Sequence, residues 1–248
     1  MEDVARRDEL AGNLKVVRDR IAAACAVAGR SPGEVSLVAI TKTFPASDVA
    51  LLAALGLTDV GENRDQEAAP KAAECSALGL ALRWHFVGQL QVNKAASVVR
   101  YAGIVHSVDR MRLVRALGTH ALAGGRQLTC LIQVNLDDGD GGSGNAAGAR
   151  DGARGGARPG EVPALADAIA GAGGLVLGGV MAVAPLGAPA RPAFGKLREI
   201  SDRMRAAHPA ATMISAGMSG DMEEAIAEGA TYVRVGTALL GGRPPFVR

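Results

Sequence analysis

The feature that most constrains the fold is a regular alternation of short apolar runs with stretches whose apolar residues recur every three or four positions. Short apolar runs are typical of buried strands, and the longer spacing is typical of helices. Strands are predicted at Val35–Thr41, Thr58–Gly61, Arg83–Gly88, Gly103–Val108, Leu128–Leu136, Leu175–Ala184, Thr212–Ala216 and Tyr232–Gly236. Helices are predicted between them at Ala46–Leu55, Arg64–Leu78, Val92–Arg100, Arg110–Ala123, Val162–Ala170, Pro192–Ala207 and Met222–Glu228. Because each helix returns the chain across the sheet, the strands should be parallel.

A further helix precedes the first strand, since Leu10, Leu14, Val17 and Ile21 form one apolar stripe. Eight strand and helix units favour a closed barrel over an open sheet. The 248 residues suit one such domain, and 48% apolar residues suffice for its core. We therefore predict an α/β fold, a single (β/α)8 TIM-type barrel over residues 1–248 with an extra N-terminal helix.

One stretch lacks this pattern. Between Gly139 and Gly160 the chain is mostly Gly, Ala, Arg and Asp without periodicity. Such a composition cannot bury enough apolar area to offset the entropy of ordering. Residues 139–160 are therefore predicted to be a flexible glycine-rich loop, either a plain solvent loop or a lid, since it follows the fifth strand at the face where barrel active sites lie.

Composition and leading residues exclude several classes of protein. A formal charge of +2 gives no basic surface for nucleic acid. Cys25, Cys75 and Cys130 have no paired spacing, which argues against disulfides and against a structural metal site. The first residues do not resemble a signal peptide, and the uncharged run at 168–190 contains glycines and prolines around a strand-sized centre, so no membrane span is predicted. We expect a cytoplasmic protein without bound metal.

Lys42 ends the first apolar strand, and Val38 and Ile40 share its face because strand side chains alternate. In a barrel of this kind the reacting groups come from the carboxyl ends of strands. An amine beside apolar neighbours loses hydration, which lowers its pKa and favours attack on a carbonyl carbon. The alternative is a lysine that extends to solvent at the strand end.

The loops after the seventh and eighth strands are suited to a phosphate. Gly236 and Thr237 follow the eighth strand, while Ser215 and Ser219 flank the glycine turn after the seventh. Barrel phosphate sites are frequently built from these two loops, where glycines let the backbone approach and hydroxyls donate hydrogen bonds. The alternative is that the glycines serve only to form tight turns.

Arg234 lies within the apolar eighth strand, where burial is costly unless the guanidinium pairs or contacts a ligand. One interpretation is an ion pair, for instance with Glu62. Another is a ligand contact: a permanent cation beside the ring nitrogen of a pyridine aldehyde would keep that nitrogen unprotonated and make the ring a poor electron sink.

These residues together resemble the pyridoxal phosphate homeostasis proteins, the YggS or PROSC family, which is related to the N-terminal barrel of alanine racemase. The resemblance covers nearly the whole chain, and the string from Trp84 to Lys94 is its most specific part. The other matching segments are Ala39–Thr43, Gly61–Asn63, Gly179–Ala182, Gly217–Glu223 and Val233–Thr237. The chain departs from the pattern at 139–160, where relatives usually have a shorter segment with a lysine.

The resemblance implies pyridoxal 5'-phosphate as cofactor, with Lys42 as its Schiff-base lysine and Arg234 at the pyridine nitrogen. The remaining residues that it implies are Ser219, Gly236 and Thr237 at the phosphate, and Asn63, His85 and Met181 along the pocket wall. His85 could equally be a packed residue of the barrel. No residue is assigned a catalytic role.

Three functions agree with these observations. The preferred one is a monomeric protein that binds pyridoxal phosphate, takes part in vitamin B6 homeostasis without turnover of its own, and hands the cofactor to apo enzymes. The second is a cofactor-dependent amino-acid racemase, which would need a second acid or base opposite the lysine. Tyr101 and Tyr232 are not obvious candidates for it. The third is a Schiff-base aldolase-type barrel without cofactor.

Overall fold

The computed structural model describes residues 2–137 and 155–242, and within them the chain forms a closed parallel barrel in the order β1 to β8. The strands are β1 Ser36–Ile40, β2 Asp59–Glu62, β3 Arg83–Phe86, β4 Ala102–Val108, β5 Leu128–Gln133, β6 Leu175–Met181, β7 Met213–Ser215 and β8 Tyr232–Val235. The predicted barrel is confirmed, and each strand lies where the apolar runs indicated. The loop predicted at 139–160 lies outside the described residues except for 155–160.

Helices follow the strands and surround the barrel. They are α1 Glu2–Val27, α2 Ala46–Ala54, α3 Asp65–Ala77, α4 Ala95–Tyr101, α5 Met111–Ala123, α6 Val162–Ala170, α7 Ala190–Ala207, α8 Met222–Ala227 and the single turn α9 Thr237–Leu240. The predicted leading helix is α1, and it continues along the chain beyond both ends of the apolar stripe. In the part of the chain that the structure describes, none of these helices combines the length and the apolarity needed to cross a membrane.

Two kinds of apolar packing follow from the alternation along each strand. Outward-facing side chains such as Ala39, Val233 and Val235 pack against the helices, including Leu10 and Leu14 of α1. The inward-facing side chains form a smaller apolar group, made of Ile104, Leu131, Met181 and Met213. The rest of the inward face is largely polar, and the candidate site is built there.

Helix α1 supports the loops that follow β7 and β8. The Asn13 side-chain amide donates to the Leu239 carbonyl oxygen at 3.0 Å, and Arg6 donates to the Leu240 carbonyl oxygen at 3.0 Å. Arg20 donates to the Ser219 carbonyl oxygen at 2.9 Å. The extra helix therefore fixes the two loops that the sequence indicated for a phosphate.

Candidate functional site

The carboxyl ends of β1, β2 and β8 lie side by side, which brings three of the predicted segments together. Ile40 is in register with Gly61, and Ala39 is in register with both Val60 and Val235. Two residues beyond Ile40 and Gly61 the chain reaches Lys42 and Asn63. These two residues therefore follow adjacent strands at one edge of the barrel, next to the start of α9.

Lys42 lies in a tight turn that begins directly after β1. The Phe44 N–H donates to the Thr41 carbonyl oxygen at 3.1 Å, and Thr43 between them has a φ of 70°. Left-handed backbone is uncommon for a β-branched residue and costs on the order of 1–3 kcal/mol. Lys42 is half-buried and stands directly before the strained residue of this turn.

A buried ion pair supports this turn from outside the barrel. The Lys71 ammonium of α3 donates to Glu62 Oε1 at 2.5 Å and to the Thr41 carbonyl oxygen at 2.8 Å, while the Thr41 hydroxyl donates to the same carboxylate at 2.8 Å. Burial raises the pKa of Glu62 above its ordinary value, and the Lys71 charge opposes this shift. The Glu62 partner is thus Lys71, so the interpretation that pairs Glu62 with Arg234 is wrong.

Arg234 of β8 is buried in the barrel interior, with 4% of its surface exposed. Its guanidinium donates to Ser215 Oγ at 2.6 Å and to the Ala182 carbonyl oxygen at 2.9 Å. Burial lowers the pKa of Arg234 to about 10, so the side chain still carries its charge at neutral pH. The structure therefore places a fixed cation inside the barrel, below the loops after β6 and β7.

Two buried histidines continue from this cation. His106 Nδ1 lies 2.9 Å from Ser215 Oγ, and His106 Nε2 lies 2.8 Å from His85 Nδ1. His85 Nε2 lies 2.7 Å from Asp59 Oδ1. Sequence reasoning found His85 and Ser215 but missed His106 and Asp59. A signal for His106 was available, because it shares the inward face of β4 with Ile104 at a spacing of two.

Some buried polar atoms near the carboxyl edge have no hydrogen-bond partner among the described residues. Three of them are Thr43 Oγ1 in the turn, Glu62 Oε2 at the end of β2 and Asn63 Oδ1 after β2. The loop after β3 crosses closely over Asn63, since a Cβ on Gly88 would lie 2.1 Å from the Asn63 carbonyl oxygen. Buried polar groups are normally satisfied, so unsatisfied atoms beside Lys42 make this edge a candidate for contacts with a ligand.

The other predicted site residues lie around this edge with different degrees of exposure. Met181 packs in the interior apolar group, at the end of β6. Ser219 is half-buried in the loop after β7, Gly236 is half-buried after β8, and Thr237 is exposed at the first position of α9. Ser215 and Arg234 form a direct hydrogen bond. Ser219, Gly236 and Thr237 follow β7 and β8, and β8 is the neighbour of β1 in the barrel, so these residues lie on the same edge as Lys42.

Comparison with known proteins agrees with this geometry. Residues 7–244 match the alanine racemase N-terminal domain family. The pyridoxal phosphate homeostasis protein of Mycobacterium tuberculosis is 43% identical over 256 aligned positions, which cover 96% of this chain and 94% of the relative. The chain belongs to the family of pyridoxal phosphate homeostasis proteins, whose fold is that of the alanine racemase N-terminal domain. Recognition from the motifs around Lys42 and Trp84 is thereby confirmed.

Solved structures show the same fold. The structure of PipY from Synechococcus elongatus with PLP bound superimposes with a TM-score of 0.78 at 32% identity, covering 94% of this chain and 100% of PipY. Alanine racemase from Corynebacterium glutamicum superimposes with a TM-score of 0.68 at 15% identity, and the match covers 98% of this chain but 62% of the racemase. The second likeness concerns the barrel fold alone.

Proposed function

We propose that this protein binds pyridoxal 5'-phosphate at the carboxyl edge of the barrel, holds it as a Schiff base on Lys42, and takes part in cofactor homeostasis. The observation that carries the proposal is the position of Lys42, which follows β1 on the inward face, on the side of the barrel that also holds the buried Arg234. Support comes from relatives named for pyridoxal phosphate homeostasis and from PipY, whose structure contains PLP.

The residues present fit this cofactor. When bound, it supplies an aldehyde carbon that condenses with an amine and a pyridine ring that withdraws electrons. Lys42 offers the amine, and the strained turn at Thr43 fixes where that amine emerges. Arg234 keeps its charge at neutral pH and would face the ring nitrogen, where it would disfavour a proton on that atom. The unsatisfied Asn63 oxygen and Thr43 hydroxyl are available for polar groups of the ligand.

The phosphate belongs between the loops after β7 and β8. Ser219, Gly236 and Thr237 would hold it, with hydroxyl donors and closely approaching backbone N–H groups. Helix α1 keeps both loops in place through Asn13 and Arg20. Ser215, His85 and Met181 would form the floor of the pocket, because all three are buried inside the barrel.

The test is the visible absorption spectrum of the protein with pyridoxal phosphate, followed by borohydride reduction and peptide mapping. Five lysines occur, Lys15, Lys42, Lys71, Lys94 and Lys196, so mapping can locate the adduct. We expect one adduct, on the peptide with Lys42, and no band in Lys42→Ala. The matched control is Lys15→Ala on the exposed face of α1, which should retain the band. An adduct on any other lysine, or no band at all, would overturn the proposal.

Racemisation is the weaker proposal because neither tyrosine is placed to serve as the second base. The Tyr101 hydroxyl bonds to Asp65 outside the barrel, and Tyr232 begins β8 at the amino end, with its ring against His85 and His106. Tyr101 thus lies outside the barrel wall, and Tyr232 lies at the opposite end of its strand from the carboxyl edge. We expect no steady racemisation of alanine by the loaded protein, and sustained turnover in a polarimetric assay would favour the racemase.

We further propose that residues 1–248 act as one domain and as a monomer that delivers the cofactor to apo enzymes in the cytoplasm. Cys25, Cys75 and Cys130 are buried free thiols, which suits a reducing compartment. The half-buried position of Lys42 leaves its adduct within reach of an incoming amine. Sedimentation of the loaded protein should give one species of monomer mass, and an apo aminotransferase added to it should regain activity faster than with Lys42→Ala and equimolar free cofactor.

A further inference from the structure

An unbroken series of hydrogen bonds, buried except at its Asp59 end, crosses the barrel from Arg234 to the amino-terminal end of β2. The links are Arg234 to Ser215 at 2.6 Å, Ser215 to His106 at 2.9 Å, His106 to His85 at 2.8 Å, and His85 to Asp59 at 2.7 Å. Asp59 is held in turn by Arg83, whose Nε lies 2.6 Å from Asp59 Oδ1. These side chains come from five different strands, β8, β7, β4, β3 and β2.

The chemistry of the two ends and the burial of the two rings together set the direction of every bond. A guanidinium only donates, so the Ser215 oxygen accepts from Arg234, and an ionised carboxylate only accepts, so His85 Nε2–H donates to Asp59. His85 and His106 have no exposed surface, which disfavours a charge on either ring. A neutral His85 then accepts at Nδ1 from His106 Nε2–H, and a neutral His106 accepts at Nδ1 from the Ser215 hydroxyl. Each histidine thus carries its hydrogen on Nε2.

The surroundings of the series agree with this assignment. Burial lowers the pKa of His85, and burial together with the nearby His85 and Arg234 lowers the pKa of His106 well below its ordinary value. Bonds from His85 and Arg83 outweigh the effect of burial and lower the pKa of Asp59, which keeps it ionised. The series thus connects a buried cation at one end to an anion at the other through neutral groups.

We propose that His106, His85 and Asp59 are positioning residues that hold the Arg234 guanidinium, through Ser215, in one orientation toward the cofactor ring. Ser215 accepts from Arg234 at 2.6 Å while its own hydrogen goes to His106 at 2.9 Å, so the orientation of the cation is coupled to side chains of other strands. In this role His85 acts on Arg234 through the series, in addition to its proposed place in the floor of the pocket. The part of the inference that concerns the ring rests on the proposed function, whereas the histidine tautomers do not.

The first experiment uses the unloaded protein with 15N-labelled histidine at neutral pH. Long-range 1H–15N correlation spectra distinguish the two neutral tautomers and the charged form. Signals of the surface histidines are assigned with His120→Gln and His208→Gln, which leave the barrel interior unchanged. We expect the other two signals to show neutral rings with hydrogen on Nε2. A charged ring, or hydrogen on Nδ1 at either His85 or His106, would overturn the relay whatever the protein binds.

The second experiment compares His106→Leu and His106→Gln with Ile104→Val, an interior change two positions earlier on β4 that removes only a methyl group. We expect His106→Leu to shift the visible band of the bound cofactor, to make that band vary with pH, and to weaken affinity on the order of 10-fold, since a bond to a charged group loses its support. His106→Gln, which can still accept from Ser215 and donate onward, should restore part of the effect, and Ile104→Val should show none.

These outcomes separate the two proposals. An unchanged band and affinity in a folded His106→Leu that still forms the borohydride-stable adduct would overturn the positioning role and leave the cofactor proposal intact. An unmodified protein that binds no cofactor would overturn the proposed function, while the tautomer experiment would still decide the relay. If His106→Leu fails to fold, the tautomer experiment on the unmodified protein decides, because hydrogen on Nδ1 of either ring contradicts the series on which the positioning role depends.

Discussion

Removal of the Lys71 ammonium should destabilise the protein strongly and in a pH-dependent manner. Lys71 Nζ lies 2.5 Å from Glu62 Oε1, and the Glu62 side chain has no exposed surface. At an effective dielectric constant of about 20, the attraction at this separation is roughly 7 kcal/mol, part of which is offset by the desolvation of both groups. For Lys71→Met, which leaves the carboxylate buried without its cation, we expect a loss of about 3–5 kcal/mol in the free energy of unfolding at pH 8.

The pH dependence follows from the direction of the Glu62 shift. Burial already raises the pKa of Glu62 in the folded protein, and loss of the opposing Lys71 charge raises it further. A group with a raised folded pKa contributes stability that is fully present below its unfolded pKa and is lost as pH rises through the folded value. The deficit of Lys71→Met should therefore be small near pH 5, where Glu62 takes up a proton, and largest near pH 8.

The assay is urea unfolding and the thermal midpoint at both pH values. For a chain of this size the midpoint should fall by roughly 10 °C at pH 8. Lys71→Met combined with Glu62→Gln leaves no buried charge and should regain at least about 1 kcal/mol over the single variant. Lys15→Met, which breaks an exposed pair with Asp19, should change stability by less than about 0.5 kcal/mol. A loss below about 1 kcal/mol that is equal at both pH values would refute the reasoning.

Three further changes test the loops and the leading helix. Gly88→Ala places a Cβ 2.1 Å from the Asn63 carbonyl oxygen, so the loop must move and titration with pyridoxal phosphate should show binding weakened by about 10-fold or more. Gly12→Ala in α1 has open space around the new Cβ, so the free energy of unfolding, measured in urea, should rise by about 0.5–1 kcal/mol. A lower free energy of unfolding would show that the added methyl group meets a neighbour. Arg20→Met removes the donor to the Ser219 carbonyl oxygen at 2.9 Å. We expect inorganic phosphate to compete less well with the cofactor in this variant than in the unmodified protein. Equal competition in the two proteins would contradict support of that loop by α1.

Local pattern was sufficient for the elements because each strand and helix has its own periodicity. The ends of the strands were less well predicted, since they depend on pairing with a neighbour. The fifth strand was expected to reach Leu136 but ends at Gln133, where Val134 pairs with Ala157 in an isolated bridge instead. A partner that lies more than twenty positions away leaves no trace in the local sequence.

The amino-acid sequence by itself determined the barrel, its leading helix and the strand ends that carry Lys42, Arg234 and the glycine turns, because alternation and strand termini are local properties of the chain. Tertiary structure alone decided which buried polar groups meet. It paired Glu62 with Lys71 where α3 packs on β2, and it connected Arg234 through Ser215 and His106 to the far side of the barrel. The second set of partners depends on the closure of the barrel, which sets side chains from distant strands face to face, and no spacing in the sequence encodes that contact.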